Sequence, residues 1–401
     1  MTKRGHEKVR KLVGISMSLL LSAGIMAGCG TEKSSGESSK GGDEILIGAN
    51  LELSGGVASY GQSILEGVNL ALDEINKEGI NGKKIKIIKV DNKSDAAEAT
   101  SAAIKLVNKD KVSAIIGAAT TGDTLAQMQI VTDNRVPIIT PSGTSETITV
   151  DKGKLNEYAF RTCFIDPFQG TVAANFASNE LKVKTAAILI DSSSDYSKGL
   201  AASFKEAFEK NGGKIVGKEE AYVQKDTDFR ATLTRIKSQN PEFVYVPGYY
   251  EEVGLILKQA RELGLNVPFM GADGWDSPKL IEIGGKEATN NTFITNHYSS
   301  GDNDPKIQEF VKAFKAKYKD KTPDTFNALG YDTLFFLADA IKRAGSNDSE
   351  KIQKALAETN GLQLVSGTMT LDENHNPIKS ATILRYVDGE QKFESKIDPQ
   401  N

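Results

Sequence analysis

The stretch FVYVPGYYEEVGLILKQARELGLNVPFM, residues 243–270, holds a complete strand–helix–strand unit. Phe243 to Val246 is a short apolar run with no polar alternation, which reads as a strand covered on both faces. Glu251 to Leu263 has helical spacing, and Gly264 sits where a helix end wants glycine. Val267 to Met270 is a second apolar run. Buried strands joined through a helix run parallel and share one sheet.

Working outward, the same alternation fills most of the chain. Upstream lie strands at Thr185 to Ile190 and Lys214 to Tyr222, with helices at Ser197 to Lys210 and Asp228 to Ser238. Before Arg161 an independent series reads strand at Ile45 to Ile47, helix at Ser63 to Asn76, strand at Ile85 to Val90 and helix at Asp95 to Asn108. It continues with a strand at Val112 to Ile116, a helix at Thr124 to Asn134 and a strand at Pro137 to Ile139. Two such series predict an α/β protein with two open, parallel, Rossmann-like sheets, each covered by helices. The last quarter departs from the alternation. Pro305 to Lys319 and Asn327 to Arg343 are helical, and Ser380 to Glu394 is a hairpin turning at Asp388-Gly389. That tail is either distributed between the lobes or a third unit.

The N-terminus is of another kind. Lys3, Arg4, Lys8, Arg10 and Lys11 precede an uncharged run from Leu12 to Ala27, the charge order of a secretory signal. The run is shorter than the roughly 20 residues that cross a bilayer. Ile25-Met26-Ala27-Gly28-Cys29 resembles a bacterial lipobox, which makes residues 1–28 a signal peptide and Cys29 an acylated N-terminus. A plain signal peptide and an uncleaved anchor are the alternatives. Residues 29–43, nearly all Gly, Ser, Thr, Lys and Glu, suit a flexible lipidated tether. The expected location is outside the cytoplasm, held at the cell membrane.

Composition excludes several functions. The net charge is −4 over 401 residues with acidic and basic residues interspersed, so no basic face suits nucleic acid. With Cys29 lipidated, Cys163 has no partner for a disulfide. Of three histidines, His6 falls in the signal, and His297 and His375 lack metal-ligand spacing and read as surface or hinge polar residues. The chain has no HExxH, CxxC, GxSxG or P-loop, so neither enzyme activity nor a cofactor nor a metal is expected.

Ligands of open α/β sheets sit at the carboxyl ends of the strands. The loops predicted there carry Ser54-Gly55-Gly56, Ser59-Tyr60-Gly61, Ala118-Ala119-Thr120-Thr121, Thr140-Pro141-Ser142-Gly143-Thr144, Tyr196, Gly248-Tyr249-Tyr250 and Ala272-Asp273-Gly274-Trp275. Hydroxyls and glycines gather in the first series; tyrosines, an acid and the single tryptophan gather in the second.

At these loops the chain resembles the leucine/isoleucine/valine-binding proteins, the solute-binding subunits of branched-chain amino-acid ABC transporters. Gly55 to Gly61, Ile139 to Thr144, Tyr249-Tyr250 and Phe269 to Gly274 carry the resemblance, with Phe229-Arg230, Leu233, Ile236 and Gln259-Ala260-Arg261 in order between them. The resemblance implies the type I periplasmic-binding fold with a three-crossing hinge: lobe one at 44–162 plus 298–370, lobe two at 163–297 plus 371–401. It implies that Thr121, Ser142 and Thr144 take a ligand carboxylate, with Ala119 and Gly143 available through their backbones. Asp273 would take the ammonium group, where better-known relatives carry a glutamate. Tyr60, Tyr196 and Tyr249 would wall the side chain, and Trp275 is added from its place beside Asp273. The implied partners are a free amino acid, permease subunits and a membrane, with the protein acting as a monomer by hinge closure. A sensor lipoprotein for another amino acid, amide or aromatic acid, signalling to a membrane receptor, would present the same pocket. A surface enzyme is the other alternative.

Overall fold

The computed structural model describes residues 44–398. The expectations for residues 1–28, for Cys29 and for the tether at 29–43 fall outside that range. Among the described residues no helix is long and apolar enough to cross a membrane.

Five parallel strands make the first sheet. They are β1 (Glu44–Leu51), β2 (Lys84–Asp91), β3 (Ala114–Ile116), β4 (Ile138–Thr140) and β5 (Ala159–Arg161), in the order β2-β1-β3-β4-β5. Ile45 pairs with Ile85 and Ile47 with Ile87, so apolar residues lie side by side along the ladder. The β1 strand is buried almost throughout because helices cover both faces, which explains its lack of alternation. Helix α1 (Ala58–Glu78) begins five residues before the predicted start. Its first turn is Ser- and Gly-rich and reads as loop, yet burial of Tyr60 and Gly61 draws it into the helix. Helix α2 (Ala96–Ile104) is capped by Asp95, whose carboxylate accepts from the Ala97 and Glu98 N–H groups.

The helix predicted at Thr124 to Asn134 is instead two short ones, α3 (Thr121–Leu125) and α4 (Met128–Asp133). The Gln127 side-chain amide donates to the Asp123 carbonyl at 3.0 Å, taking the acceptor a continuous helix would use. The Gln127 backbone N–H turns to Thr124 instead, at 3.1 Å.

The second sheet has eight strands. Its main path runs through β7 (Glu220–Tyr222), β6 (Thr185–Asp191), β8 (Phe243–Tyr245), β9 (Phe269–Gly271) and β10 (Thr292–Asn296), and ends on β11 (Ala381–Val387) and β12 (Glu390–Ile397). The strand predicted at Lys214 to Tyr222 is broken at Gly217, where φ is +68°. This sheet is not wholly parallel: β11 runs antiparallel to both neighbours. The β11–β12 hairpin turns at Asp388-Gly389 as expected, both at positive φ. Between β5 and β6 lies a helix not read from the sequence, α5 (Asp166–Asn175), with Pro167 in its first turn. Helices α6 (Asp195–Lys210), α7 (Arg230–Ser238) and α8 (Tyr250–Glu262) cover the second sheet.

After β10 the chain returns to the first side. Helices α9 (Pro305–Lys317) and α10 (Thr325–Ala344) pack against α1 before the chain goes back to form β11. The α1–α10 approach is close: a Cβ on Gly67 would sit 1.9 Å from the Asn327 carbonyl oxygen, and one on Gly330 would sit 2.3 Å from that of Ile64. The tail is therefore shared, and the chain passes between the two sheets three times, after β5, after β10 and before β11. Lys379, on the third pass, is buried and donates to the Thr162 carbonyl on the first at 2.9 Å.

Candidate binding site

In both sheets the strand order reverses beside an early strand, β1 next to β3 and β6 next to β8. Loops leaving such strands diverge and open a crevice at their carboxyl ends. Those crevices meet in a narrow cavity of only about 10 Å³. It is lined by Tyr60, Ala119, Thr120, Thr121, Ser142, Tyr196, Tyr249, Asp273 and Phe326.

On the first-sheet side the loop after β3 is anchored by a buried acid. Glu52 accepts from the Ala119 N–H at 2.9 Å and from the Thr120 N–H at 3.0 Å. Ser142 donates its hydroxyl to the Ala119 carbonyl at 2.8 Å, tying the loop after β4 to the loop after β3. Behind it, buried Arg161 bonds the Gly143 and Ser145 carbonyls, each at 2.8 Å. Thr121 and Thr144 are both buried, and neither hydroxyl has a partner. A buried hydroxyl without a partner costs free energy, so Thr121, which lines the cavity, is poised for an acceptor.

The second-sheet side presents Asp273. One oxygen accepts from the Tyr196 hydroxyl at 2.7 Å, and the other lies 3.1 Å from His297 Nε2. Its backbone N–H donates to Gln169 at 3.0 Å. Burial, and then the charge of Asp273, push the Tyr196 hydroxyl well above its ordinary pKa, so it remains a donor. Burial pulls His297 below its ordinary value despite Asp273, so the ring is neutral at neutral pH. A second acid, Asp166, is buried beside Thr144 with neither oxygen hydrogen-bonded, and burial raises its pKa well above the ordinary range.

Aromatic rings close the cavity from both sides. Tyr60 stacks on Phe326 at 4.3 Å and meets Tyr249 edge-on at 5.7 Å; Tyr249 in turn stacks on Tyr196 at 5.2 Å. The Tyr60 hydroxyl donates to the Gly274 carbonyl. Ser59 Oγ lies 2.7 Å from Ser277 Oγ, and the Tyr250 hydroxyl donates to the Gly56 carbonyl at 3.0 Å. Each of these bonds joins a residue of the first-sheet side to one of the second, so the conformation is a closed one.

The structure brings Tyr60, Ala119, Thr121, Ser142, Tyr196, Tyr249 and Asp273 together around one cavity, as the sequence reading groups them. Several expectations need correction. The Ala119 backbone lines the cavity, but its N–H is held by Glu52 and its carbonyl by Ser142. The Gly143 N–H donates to Thr140 Oγ1 at 2.8 Å, so that backbone is also engaged. Trp275 lies in the core with no accessible surface, its Nε1–H donating to the Val246 carbonyl at 2.9 Å. Thr144 sits just outside the lining. His297 and His375 are both buried, which overturns the surface reading; His297 stands at the start of the second pass, as the hinge reading has it, and His375 bonds the Ala159 carbonyl through Nδ1 at 3.0 Å. Phe326 and Thr120 complete the lining and were not singled out. Phe326 opens a helix far along the chain from the other loops, with no local signal of a site.

The family model for periplasmic binding proteins matches residues 44–391. The leucine-, isoleucine-, valine-, threonine- and alanine-binding protein of Pseudomonas aeruginosa is 34% identical over 332 residues, covering 82% of this chain and 86% of that protein. The leucine-binding protein LivK of Thermotoga maritima matches with a TM-score of 0.84 and 38% identity, over 88% of this chain and 99% of that one. The branched-chain amino-acid transporter substrate-binding protein LivJ of Streptococcus pneumoniae, solved with isoleucine, matches with a TM-score of 0.82 and 38% identity over the same shares.

Proposed function

Since the chain belongs to the periplasmic binding protein family, we propose that it is the extracytoplasmic substrate-binding subunit of an ABC importer that captures leucine, isoleucine or valine. The lobes are residues 44–162 plus 298–378 and 163–297 plus 379–398, hinged at the three passes; the last boundary lies at Lys379 and not near 370, because His375 and Asn376 bond Ala159 and Thr149 of the first side. A single observation carries this reading. One cavity holds unpaired or exchangeable hydroxyls on its first-sheet side and an oriented carboxylate on the other, with aromatic rings sealing it.

A zwitterionic amino acid supplies what those groups lack. Its carboxylate accepts from Thr121, and from Ser142 once that hydroxyl turns from the Ala119 carbonyl, each bond to a charged group contributing about 1.5–3 kcal/mol. Its ammonium group donates to Asp273. Its apolar side chain packs on Tyr60, Tyr249 and Phe326, removed from water. Contacts to the second lobe shift the population towards the closed form, which the Tyr60–Gly274 bond stabilises. The permease receives the ligand from that closed form. Cys29 carries the lipid that keeps the protein, a monomer, at the membrane, and no step requires catalysis.

A thermal-shift screen against the twenty amino acids, aromatic acids, amides and sugars tests this. A hundredfold excess over the dissociation constant stabilises by about 2.7 kcal/mol. Shifts confined to Leu, Ile and Val are expected. Shifts with aromatic acids or amides alone overturn the assigned ligand.

A further inference from the structure

We propose that His297 is a positioning residue of this site, its Nε2–H fixing the orientation of the Asp273 carboxylate and thereby setting the preference for ligands that carry an ammonium group. The proposal rests on the amino-acid reading above and adds the residue that enforces one part of it.

His297 follows β10 directly, where the chain begins its second pass between the sheets. Its side chain has no exposure, and its Nε2 lies 3.1 Å from Asp273 Oδ2. The ring stacks on Phe164 of the first pass, 3.8 Å between centroids and 23° between planes. Nδ1 has no partner. These contacts select one tautomer. With the proton on Nδ1, the Nε2 lone pair would face a carboxylate oxygen, two acceptors in contact; with the proton on Nε2, the contact is a hydrogen bond. The charged groups around the ring are Asp273 and Asp276 from the loop after β9, which favour the charged ring, and Lys379 from the third pass, which with burial outweighs them and keeps it neutral.

A carboxylate shut away from water takes up a proton unless donors face its charged form. An Asp273 carboxylate without such donors is also free to turn away from a ligand's ammonium group. Tyr196 and His297 supply one donor to each oxygen, and each oxygen keeps a second lone pair for the ligand. Asp273 also has a short arm with one fewer methylene than glutamate. Its two donors come from separate elements, α6 and the second pass, so they fix both its height and its rotation.

The test pairs two ligands with two variants. Leucine and 4-methylpentanoate share a carboxylate and a side chain, and only leucine has the ammonium group. His297→Phe keeps a ring on Phe164 and removes the donor; His297→Gln returns an amide N–H near the Nε2 position. Leucine is titrated by calorimetry, and 4-methylpentanoate is read by thermal stabilisation at millimolar concentration. His297→Phe is expected to bind leucine at least tenfold more weakly while 4-methylpentanoate stays within twofold of wild type. His297→Gln recovers most of the leucine deficit. A His297→Phe protein that keeps the wild-type ratio between the two ligands overturns the proposal, including when both weaken together, the mark of a merely structural role. A wild-type protein that binds no leucine overturns the amino-acid reading itself, and it does so with His297 in place. Nitrogen NMR of histidine-labelled wild type, independent of any variant's folding, is expected to show the Nε2-protonated neutral ring from pH 6 to 8; an Nδ1-protonated ring overturns the assignment.

Discussion

Removing one oxygen atom, by Tyr60→Phe, isolates the energetics of closure. The ring contacts survive: stacking on Phe326 at 4.3 Å and edge contacts with Tyr249 and Tyr250 at 5.7 and 5.1 Å. What is lost is the hydroxyl that donates to the Gly274 carbonyl across the cleft. The Tyr250 N–H, 3.4 Å from the same oxygen, contributes little at that length. In the closed form Tyr60 is 2% exposed, so the Gly274 carbonyl is left dry and unpaired, at a cost of about 1–3 kcal/mol. In the open form water satisfies both groups, so the whole penalty falls on the closed form. The apparent affinity for leucine then drops by roughly 5- to 150-fold. Calorimetry measures the affinity, and small-angle scattering of the same samples reports the shift towards the open form. A variant within twofold of wild type would refute the assignment of this bond to closure.

Three other substitutions probe different parts of the account. Asp273→Asn keeps the shape but removes the anion and one of the two acceptors facing Tyr196 and His297; leucine binding is expected to fall at least a hundredfold, about 2.7 kcal/mol, with the fold retained by circular dichroism, and retained binding would remove Asp273 from the site. Gly67→Ala places a methyl 1.9 Å from the Asn327 carbonyl oxygen; chemical denaturation should show a loss of about 1–3 kcal/mol or more, against no loss if the α1–α10 approach is wider. Asp123 has its carboxyl pushed up to about 8 by burial and then by Glu52, against 3.8 ordinarily. A folded pKa above the unfolded one gives stability that is complete below about pH 4 and lost as pH rises through 8. Asp123→Asn, neutral throughout, should therefore gain on wild type as the pH is raised from 5 to 9; parallel stability–pH curves would contradict this.

What the sequence discloses follows from what is local. The apolar strands β1, β3, β4, β6, β8 and β9 are buried on both faces, so hydrophobicity alone marks them. Helix α5 escapes because Pro167 and Gly170 interrupt its pattern, while its packing against α6 comes from close contact at Gly170. The site was legible where its loops carry hydroxyls and tyrosines at strand ends. It was illegible where direction decides. A single 3-10 turn, Asp273–Trp275, aims the acid at the cavity and the indole into the core, and adjacency in sequence cannot separate the two. The Ala119 and Gly143 backbones are engaged by side chains of Glu52, Ser142 and Thr140, two of them from other loops. His297 and Phe326 reach the site only through the three-pass topology, which brings distant segments to the same cleft.

The most direct test of the account is a crystal structure of the protein grown with leucine. One leucine is expected in the cleft bounded by Tyr60, Tyr249 and Phe326, its carboxylate within hydrogen-bond distance of Thr121 and Ser142 and its ammonium group within that distance of Asp273. Leucine bound elsewhere, or with its ammonium group turned away from Asp273, would contradict it.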